Sequence, residues 1–301
     1  MAEDLHGTIK DIFGSGAAIR ERRPVAGGDI NRAYALTLTD GTKLFMKMNS
    51  AARLHSFEAE AEGLEAIRRT GTISVPRVIA AGIDAGGESA SGGQSYLLLK
   101  YIEEGSRSAA ASGRLGRQLA ALHQADTAGM VSGGRFGFLH DNYIGAGDQS
   151  NAPEDSWKDF FINKRLVPQF ERASVYWSAE DDRKISRFLA AAEDILTEPE
   201  HPSLLHGDLW AGNYMIDTAG TPWLIDPAAY VGHAEADLAM TELFGGFDRH
   251  FYAAYKEAAP LDSGYRERRD IYNLYHLLNH LNLFGGGYLH AAKAVVNKYT
   301  T

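Results

Sequence analysis

The amino-acid sequence predicts an α+β fold with two lobes: a small antiparallel sheet with one inserted helix, followed by a larger, mainly helical lobe. Strand patterns are concentrated in the first third of the chain, and helical spacing of apolar residues dominates the remainder. The length of 301 residues corresponds to about two domains, enough to bury a sizeable core. We therefore predict an N-terminal lobe over residues 1–101 and a C-terminal lobe over residues 102–301.

In the N-terminal lobe, the spacing of apolar residues alternates between strand and helix periods. The dipeptide Asp40–Gly41 is typical of a hairpin turn, and a strand-like segment flanks it on each side. Apolar residues from Phe57 to Ile67 recur at helical spacing, which indicates one helix inserted between strands. The predicted elements are a helix within residues 3–19, a short strand that ends at Gly27–Gly28, strands at 33–38, 43–48, 76–83 and 96–102, and a helix at 53–69.

The C-terminal lobe shows mostly helical spacing, interrupted by Gly, Pro and Asn residues that end helices. Two short extended segments, 203–205 and 223–225, lie among these helices beside the densest polar motifs of the chain. A cleft between two such lobes is a common place for a ligand. The predicted helices are 113–124, 157–172, 181–196, 234–243, 251–257 and 265–283.

Composition and charge exclude several classes of protein. The chain has no cysteine, so disulfides, thiolate nucleophiles and cysteine-bound metals are impossible. A net charge of −9 disfavours binding to nucleic acid or to an anionic membrane surface. No apolar run is long enough to span a membrane, and the N terminus lacks the pattern of a signal peptide. We expect a cytoplasmic monomer or weak homodimer, without a nucleic-acid or membrane partner.

The strongest local motif is LHGDLWAGN at residues 205–213, which is followed by Asp226 after a later apolar strand. An aspartate, an asparagine five residues later and a second aspartate are typical of phosphoryl transfer. Asp208 is predicted to accept the proton of a substrate hydroxyl. Asn213 and Asp226 are predicted to hold the Mg²⁺ that bridges the phosphates of ATP. The alternative is a capped turn, which Asp and Asn also favour.

A lysine within an apolar strand is the second candidate group. Lys47 lies in the strand at 43–48, where an unpaired buried cation would be costly. On the next helix, Glu60 shares the apolar stripe, whereas Glu58 and Glu62 fall on another face. A Lys–Glu pair between a strand and the following helix positions phosphates in protein kinases. The alternative for Lys47 is a solvated row at a sheet edge.

Two further segments are candidates for contacts with the nucleotide. Gly27 and Gly28 join two strands ahead of Lys47, where their backbone amides are placed to cover phosphates. The segment lacks the third glycine of a dinucleotide-binding motif, and a plain hairpin turn is the alternative. The strand that links the lobes offers the carbonyl of Lys100 and the amide of Ile102 to an adenine edge. A connection without a ligand role is the alternative there.

Several residues near these motifs are candidates for contact with the phosphate acceptor. Trp210 lies two residues beyond the predicted base, and an aromatic face there suits a sugar or an apolar amine. The alternative for Trp210 is a place in the core. His233 and Glu235 follow the second aspartate and are also assigned to the acceptor side, with a solvated loop as the alternative. Asp237 is predicted to anchor the catalytic loop.

Taken together, these motifs resemble the fructosamine kinase (ketosamine-3-kinase) family, within the wider group that is similar to aminoglycoside phosphotransferases. The pattern HGDxxxxN alone indicates only the wider group. The longer segments are more specific, and the similarity covers nearly the whole chain. The segments that carry the resemblance are LLHGDLWAGN (204–213), IDPA (225–228), YVGH (230–233), LFGGF (243–247) and YNLYHLLNH (272–280).

The resemblance implies a protein-kinase-like fold and an enzyme that uses ATP and Mg²⁺ to phosphorylate the 3-hydroxyl of a ketosamine. A ketosamine is a sugar joined to an amine, here a small molecule or a glycated protein lysine. Phosphorylation makes the adduct unstable, so that the amine is released by deglycation. By position, the implied site residues are Asp208 as the base, Asn213 and Asp226 as metal ligands, Lys47 and Glu60 as the phosphate pair, and Trp210 against the ketosamine. His280 is a further candidate for the substrate, with a packed, hydrogen-bonded histidine as the alternative.

Two competing functions stay open at this point. A kinase of the same fold for another small hydroxyl compound, such as an aminoglycoside, choline or a free sugar, would keep the same mechanism. A nucleotide-binding regulator without catalysis is disfavoured because the predicted catalytic residues are all present. Gly207 stands where many protein kinases carry an arginine that pairs with a phosphorylated loop. This difference predicts activity without such phosphorylation.

Overall fold

The computed structural model describes residues 4–25, 30–86 and 93–300. Its first part is a five-stranded antiparallel sheet, which confirms the predicted fold class. The strands are β1 (Ile19–Val25), β2 (Arg32–Leu38), β3 (Lys43–Ser50), β4 (Val78–Asp84) and β5 (Gln94–Lys100). Their order in the sheet is β1-β2-β3-β5-β4, so β3 is the middle strand. The predicted hairpin joins β2 to β3 and places Ala33 opposite Lys47.

Helix α1 (Leu5–Phe13) covers one face of the sheet. The helix begins after Asp4, whose carboxylate accepts a hydrogen bond from the amide of Gly7, and it ends at Gly14. Its buried residues pack with alternate residues of the strands, among them Leu36 and Met46, in a small separate core. The helix lies within the predicted range and ends where Gly14 interrupts it.

Helix α2 (Leu54–Thr70) lies between β3 and β4 in the chain, as the sequence predicted. The helix ends at Gly71, whose φ of 65° is in the left-handed region that glycine adopts readily. Phe57 and Leu64 are buried and join Leu97 of the sheet in the larger core of the molecule. The inserted helix therefore fills the face of the sheet opposite α1.

Helices make up most of the structure after the sheet. They are α3 (Ala109–His123), α4 (Trp157–Phe160), α5 (Val167–Arg172), α6 (Ala179–Ile195), α7 (Glu235–Leu243), α8 (Arg249–Ala258), α9 (Tyr265–Phe284) and α10 (Leu289–Lys298). Of these, α10 was not predicted. Within the described ranges, the structure contains no helix with the length and apolar character needed to cross a lipid bilayer.

The predicted helix at 157–172 is continuous but changes its hydrogen-bond pattern. A π-helical segment, Phe161–Leu166, separates α4 from α5. Pro168 lies at the start of α5 and has no amide hydrogen to offer to the carbonyl of Lys164, one turn earlier. The guanidinium group of Arg165 donates to that carbonyl instead, at 3.1 Å. The wider turn thus accommodates the proline inside the helix.

Short strand pairs hold the ends of the polar motifs. The pairs are β6 (Asn142–Ile144) with β7 (Gly147–Gln149), β8 (Ser203–Leu205) with β11 (Tyr230–Gly232), and β9 (Tyr214–Ile216) with β10 (Pro222–Leu224). The sequence predicted β8 and, shifted by one residue, β10. Residues 206–213 connect β8 to β9, and residues 225–229 connect β10 to β11. We call these two connections the catalytic loop and the Asp226 loop.

The larger hydrophobic core continues from the sheet into the helical region. It includes Phe57 of α2 and Leu99 of β5 together with Leu115, Phe161 and Leu274 of the helices that follow. Because this core is shared, the boundary between residues 101 and 102 stays a prediction. The shared core also fixes the sheet against the loops that carry the polar motifs.

Candidate active site

Lys47 is the centre of an ion-pair network between the sheet, α2 and the Asp226 loop. Its ammonium nitrogen lies 2.8 Å from Glu60 Oε1 and 2.6 Å from Asp226 Oδ1. The residue is only 6% exposed. Burial alone would lower the pKa of Lys47, but the charges of Asp226 and Glu60 and their hydrogen bonds raise it above its usual value. Lys47 is therefore held as a cation.

The position of Glu60 follows from the helical period of α2. Glu60 comes three residues after Phe57 and four before Leu64, and both apolar residues are buried. Its carboxylate is therefore turned inward, whereas Glu58, two residues earlier, is exposed. The predicted contact between Lys47 and Glu60 is present, and the solvated-edge alternative for Lys47 is wrong.

A buried carboxylate fixes the start of the catalytic loop. Asp237, in α7, accepts hydrogen bonds from the amides of His206 at 2.7 Å and Gly207 at 2.9 Å. His123 Nε2 lies 3.1 Å from the same carboxylate. Burial alone would raise the pKa of Asp237, but these donors lower it below its usual value. The predicted anchoring role of Asp237 is confirmed.

Gly207 allows the catalytic loop and the Asp226 loop to touch. Its φ is 81°, and a Cβ atom there would overlap the carbonyl oxygen of Ala228. The amide of Ala228 donates to His206 O at 2.9 Å, and His206 Nε2 lies 2.8 Å from Ile225 O. These contacts fix the separation of the two loops.

Asp208 and Asn213 face each other across the catalytic loop. The side-chain amide of Asn213 donates to Asp208 Oδ2 at 3.1 Å and to the main-chain oxygen of Asp208 at 2.8 Å. Loss of solvation raises the pKa of Asp208 to about 7, and the negative charge of Asp226 adds to the effect. The residue as a whole is partly exposed. A carboxylate with this pKa suits proton transfer near neutral pH.

Asp226 has an unusual backbone conformation. Among the described residues other than glycine, it is the one with a positive φ, 56°. Residues other than glycine adopt this conformation at an energetic cost, and such residues cluster at functional sites. Its carboxylate contacts Lys47, yet 42% of the side chain is exposed. The loop therefore presents this carboxylate both to Lys47 and to the open side of the site.

The oxygen atoms of the two loops suit a hard divalent cation. The amide nitrogen of Asn213 is used by Asp208, which leaves the amide oxygen as its ligand atom, and Asp226 keeps an exposed carboxylate. Within the described ranges, no three His, Asp or Glu side chains are grouped so that they could enclose a metal by themselves. Mg²⁺ is usually held by one or two carboxylates together with substrate phosphates.

Trp210 is exposed on the catalytic loop, two residues after Asp208. Its side chain is 42% exposed, so the alternative of a core position is wrong. The indole lies over Gly212, where a Cβ atom would overlap the ring. Gly212 therefore permits the indole to lie flat along the loop with a face available for stacking.

His280, on α9, belongs to a partly exposed aromatic group. Its ring centroid lies 4.9 Å from that of Phe244, 5.0 Å from that of Tyr288 and 5.5 Å from that of Phe284. Phe244 begins the segment FGGF, whose Gly246 carbonyl accepts a hydrogen bond from Tyr214 directly after the catalytic loop. The structure thus connects His280, through the Phe244 segment, to the loop that carries Asp208.

The structure corrects the predicted exposure of His233 and Glu235 to an acceptor. Both residues are buried. Arg268 donates to the two carboxylate oxygens of Glu235 at 2.6 and 2.7 Å. The ring of His233 packs against Trp157 and Tyr272. The reason is that α7 begins at Glu235 and its first turn enters the core, so these side chains support the fold.

The predicted nucleotide contacts of the main chain stay predictions. Gly27 and Gly28 lie outside the described residues. Lys100 ends β5, and Ile102 follows it in the segment that runs toward α3. Gly105 in this segment donates to Ile216 O at 2.7 Å, so the segment lies along β9, which follows the catalytic loop. The segment is therefore close to the site, as an adenine contact requires.

Two buried amide side chains beside the Asp226 loop were not predicted. Asn142 Nδ2 donates to Ala229 O at 2.7 Å, and Gln149 Nε2 donates to Ala228 O at 3.1 Å. Both residues lie in strands of three residues, which leave too little periodicity to recognise in a sequence. No motif marks them either.

The fold and the site together define a phosphotransferase of the protein-kinase-like class. A crystal structure assigned as a fructosamine-3-kinase from Haemophilus somnus superposes with a TM-score of 0.84 and 27% sequence identity. The match covers 99% of this chain and 97% of that chain.

Comparison with known families makes the class specific. The family model of fructosamine kinase matches residues 1–301. A Synechocystis protein assigned as a ketoamine kinase is 44% identical over 292 residues, covering 96% of this chain and 94% of the relative. The chloroplastic protein-ribulosamine 3-kinase of Arabidopsis thaliana is 40% identical over 291 residues, covering 95% of this chain and 84% of the relative. The chain belongs to the fructosamine kinase family and is a phosphotransferase that acts on a hydroxyl group. Membership of a kinase family implies the use of ATP.

Proposed function

We propose that this protein transfers the γ-phosphoryl group of ATP, in the presence of Mg²⁺, to the 3-hydroxyl of a ketosamine. The observation that carries this proposal is the environment of Asp208. Asp208 is partly exposed as a residue, and its carboxylate is hydrogen-bonded to Asn213 and lies near Asp226, which contacts Lys47. Such a group can accept a proton beside a site that binds phosphates and a cation.

On the nucleotide side, Lys47 is the group for the phosphates of ATP. Glu60 and Asp226 hold its ammonium group in place from two sides. Asn213 and Asp226 would hold Mg²⁺, which, when bound, neutralises the charge of the phosphates. Because Lys47 is held before the nucleotide arrives, little reorganisation is needed for it to bind phosphate.

On the acceptor side, Asp208 takes the proton of the substrate hydroxyl. The hydroxyl oxygen forms a bond to the γ-phosphorus as its proton moves to a carboxylate oxygen of Asp208. The bond between the γ-phosphorus and the bridging oxygen breaks, and ADP leaves with that electron pair. Asp237 keeps the main chain at His206 and Gly207 fixed, so the base is held in position for the acceptor.

The exposed aromatic residues support an acceptor with a carbohydrate part. The open indole of Trp210 offers an apolar face to the C–H side of a sugar. The partly exposed aromatic group around His280 offers a second apolar surface. The names of the relatives, a ketoamine kinase and a protein-ribulosamine 3-kinase, support a ketosamine as this acceptor. Its 3-phosphate would release the amine and begin deglycation.

The release of ADP with different acceptors tests this proposal. The assay contains ATP and Mg²⁺ with ribulosyl-lysine, fructosyl-lysine, kanamycin or choline, and the Asp208→Asn protein serves as the blank. We expect turnover with at least one ketosamine and none with kanamycin or choline. Turnover with kanamycin or choline alone would keep the mechanism and replace the substrate class. Absence of turnover with every acceptor would support a nucleotide-binding regulator.

A further inference from the structure

We propose that Asn142 and Gln149 are positioning residues that hold the Asp226 loop in the conformation that binds Mg²⁺ with the nucleotide. The two residues lie opposite each other in the β6–β7 hairpin. The proposal rests on the proposed role of Asp226 as a metal ligand. Neither residue needs to touch ATP, because both act through the main chain of the loop.

The hairpin binds two successive carbonyl groups of the Asp226 loop. Asn142 Nδ2 donates to Ala229 O at 2.7 Å, and Gln149 Nε2 donates to Ala228 O at 3.1 Å. Gln149 Nε2 also donates to Asn142 Oδ1 at 2.7 Å, which fixes the orientation of both amides. All four residues are buried, so each lost hydrogen bond would leave an unpaired polar group without water.

A hydroxyl group on α9, that of Tyr275, contacts the side-chain amide of Gln149. The phenol of Tyr275 donates to Gln149 Oε1 at 2.6 Å. Both hydrogen atoms of the Gln149 amide nitrogen then face acceptors, Asn142 Oδ1 and Ala228 O, while its oxygen faces a donor. This arrangement favours one orientation of the amide, since the flipped amide would place its oxygen against the acceptor oxygens of Asn142 and Ala228. The loop is thereby connected to the longest helix of the helical region.

The Asp226 loop also packs against the helix that carries Glu60. A Cβ atom on Gly63 would lie 3.2 Å from Ala229 Cβ and 3.3 Å from Pro227 Cγ. Gly63 follows Glu60 by three residues, so the loop packs against the same part of α2 that presents Glu60 to Lys47. The Asp226 loop therefore contacts both α2 and the β6–β7 hairpin.

The strained conformation of Asp226 requires such support. A residue with φ of 56° that is not glycine persists only when its surroundings determine its conformation. Neutral hydrogen bonds from Asn142 and Gln149 supply that constraint permanently. The site is then formed without a phosphorylated loop.

A matched pair of substitutions tests the proposal. Gln149→Met keeps the side-chain length and removes the hydrogen bond to Ala228 O together with the one that orients Asn142. Gln169→Met makes the same change at an equally buried glutamine. Gln169 contacts Asn279 and Asn282 rather than the Asp226 loop. The measurement is calorimetric binding of a non-hydrolysable ATP analogue over a range of Mg²⁺ concentrations, with thermal unfolding of each protein.

We expect Gln149→Met to need about 10- to 100-fold more Mg²⁺ for tight binding of the analogue, as for other residues that orient metal ligands. Binding of the analogue without Mg²⁺ stays within about twofold of the original protein. Gln169→Met loses thermal stability but keeps the original Mg²⁺ dependence. An unchanged Mg²⁺ dependence in Gln149→Met, or an equal change in Gln169→Met, would overturn the proposal.

Two further variants, Asp226→Asn and Tyr275→Phe, separate failure of the proposed metal role from failure of the positioning role. Asp226→Asn tests the metal role itself: if its Mg²⁺ dependence is unchanged, the proposed function fails at this residue. If Asp226→Asn shifts the dependence and Gln149→Met does not, only the positioning role is wrong. Tyr275→Phe removes one hydroxyl and is expected to fold even if Gln149→Met does not. It should shift the Mg²⁺ dependence about 2- to 10-fold, the effect of one hydrogen bond, and no shift would contradict the proposal.

Discussion

Asp208 and Asp237 are two carboxylates next to the same loop, and their surroundings differ. Asp237 is buried and accepts hydrogen bonds from two backbone amides, with His123 on one of its oxygens. Asp208 is partly exposed and accepts one side-chain hydrogen bond, from Asn213. The pKa of Asp237 is lowered despite burial, whereas loss of solvation raises the pKa of Asp208 to about 7.

The comparison shows how one residue type is given two functions by its donors. A carboxylate that accepts several hydrogen bonds stays ionised and holds its partners, so it suits a structural role. A carboxylate with few donors and a negative neighbour binds a proton more readily, so it suits general base catalysis. The comparison predicts that changing Asp208 will affect the reaction and that changing Asp237 will affect the fold.

The largest expected effect follows from Asp208→Asn. Removing the base should lower kcat by about 10²- to 10⁴-fold, because the acceptor proton then has no carboxylate to receive it. Binding of ATP should be largely kept. The unfolding free energy should stay within about 1 kcal/mol, since the carboxylate makes no ion pair with a described residue. Steady-state kinetics measure kcat, and chemical denaturation measures the unfolding free energy. An active Asp208→Asn variant would refute the assignment of Asp208 as the base.

Asp237→Asn should mainly affect stability. The change places an NH₂ group where the carboxylate accepts from the amides of His206 and Gly207, and it weakens the contact with His123. We expect a loss of about 3 kcal/mol in unfolding free energy, within the range for breaking a buried charged network. Urea denaturation measures this loss of unfolding free energy. A stable Asp237→Asn protein with normal loop geometry would remove the distinction between the two carboxylates.

Lys47→Ala extends the comparison to carboxylates that have a cationic partner. The change removes the proposed contact with ATP phosphates and leaves Glu60 and Asp226 without the lysine between them. We expect kcat/KM for ATP to fall about 100-fold, from the loss of a charged contact in a mostly buried site. Initial-rate kinetics with varied ATP measure the effect. An unchanged value would separate Lys47 from the nucleotide.

The smallest effect concerns Asp181, a surface carboxylate that accepts from Lys293 at 2.8 Å and from Ser178 at the start of α6. The hydrogen bond from Lys293 contributes most to lowering the pKa of Asp181 to about 2. Because the folded-state pKa is lowered, the stabilisation is complete above the ordinary value of 3.8 and disappears as the pH falls toward about 2. We expect Asp181→Asn to cost about 1 kcal/mol near neutral pH, reduced by solvent screening.

Thermal unfolding over a pH series measures the difference between Asp181→Asn and the original protein. The difference should shrink as the pH falls from about 5 toward about 2. A difference that stays constant with pH would contradict this account, because the ion pair and the capping hydrogen bonds both use the ionised carboxylate. Lys293→Met is the control that removes the ion pair but keeps the capping hydrogen bonds.

The sequence predicted the parts of the fold that repeat a period over several residues. The strands β2 and β3 and helix α2 were predicted within a few residues, because alternation and helical spacing are strong there. Short elements escaped: β9 and β11 have three residues each. Helix α10 escaped because its buried residues are only Ala292 and Val296, which give little apolar contrast.

In the site, too, features that follow from a local period or motif were predictable, and contacts between distant residues were not. The contact of Glu60 with Lys47 was predictable from the helical period, and the anchoring role of Asp237 from its place at the start of an apolar helix. The burial of Glu235 was not predictable, because its partner Arg268 is 33 residues away in the chain. The contact of Gln149 with the Asp226 loop depends on a separation of 79 residues. Such contacts exist only once the fold has formed.

The measurement that tests the central claim most directly is identification of the product. Ribulosyl-lysine is incubated with ATP and Mg²⁺ and the original protein or Asp208→Asn, and phosphorus–proton correlated NMR locates the new phosphate. We predict a phosphate bonded to the 3-oxygen of the sugar, followed by release of lysine, with the original protein and a strongly reduced yield with Asp208→Asn. A phosphate on another oxygen, or equal yields from the two proteins, would contradict the account.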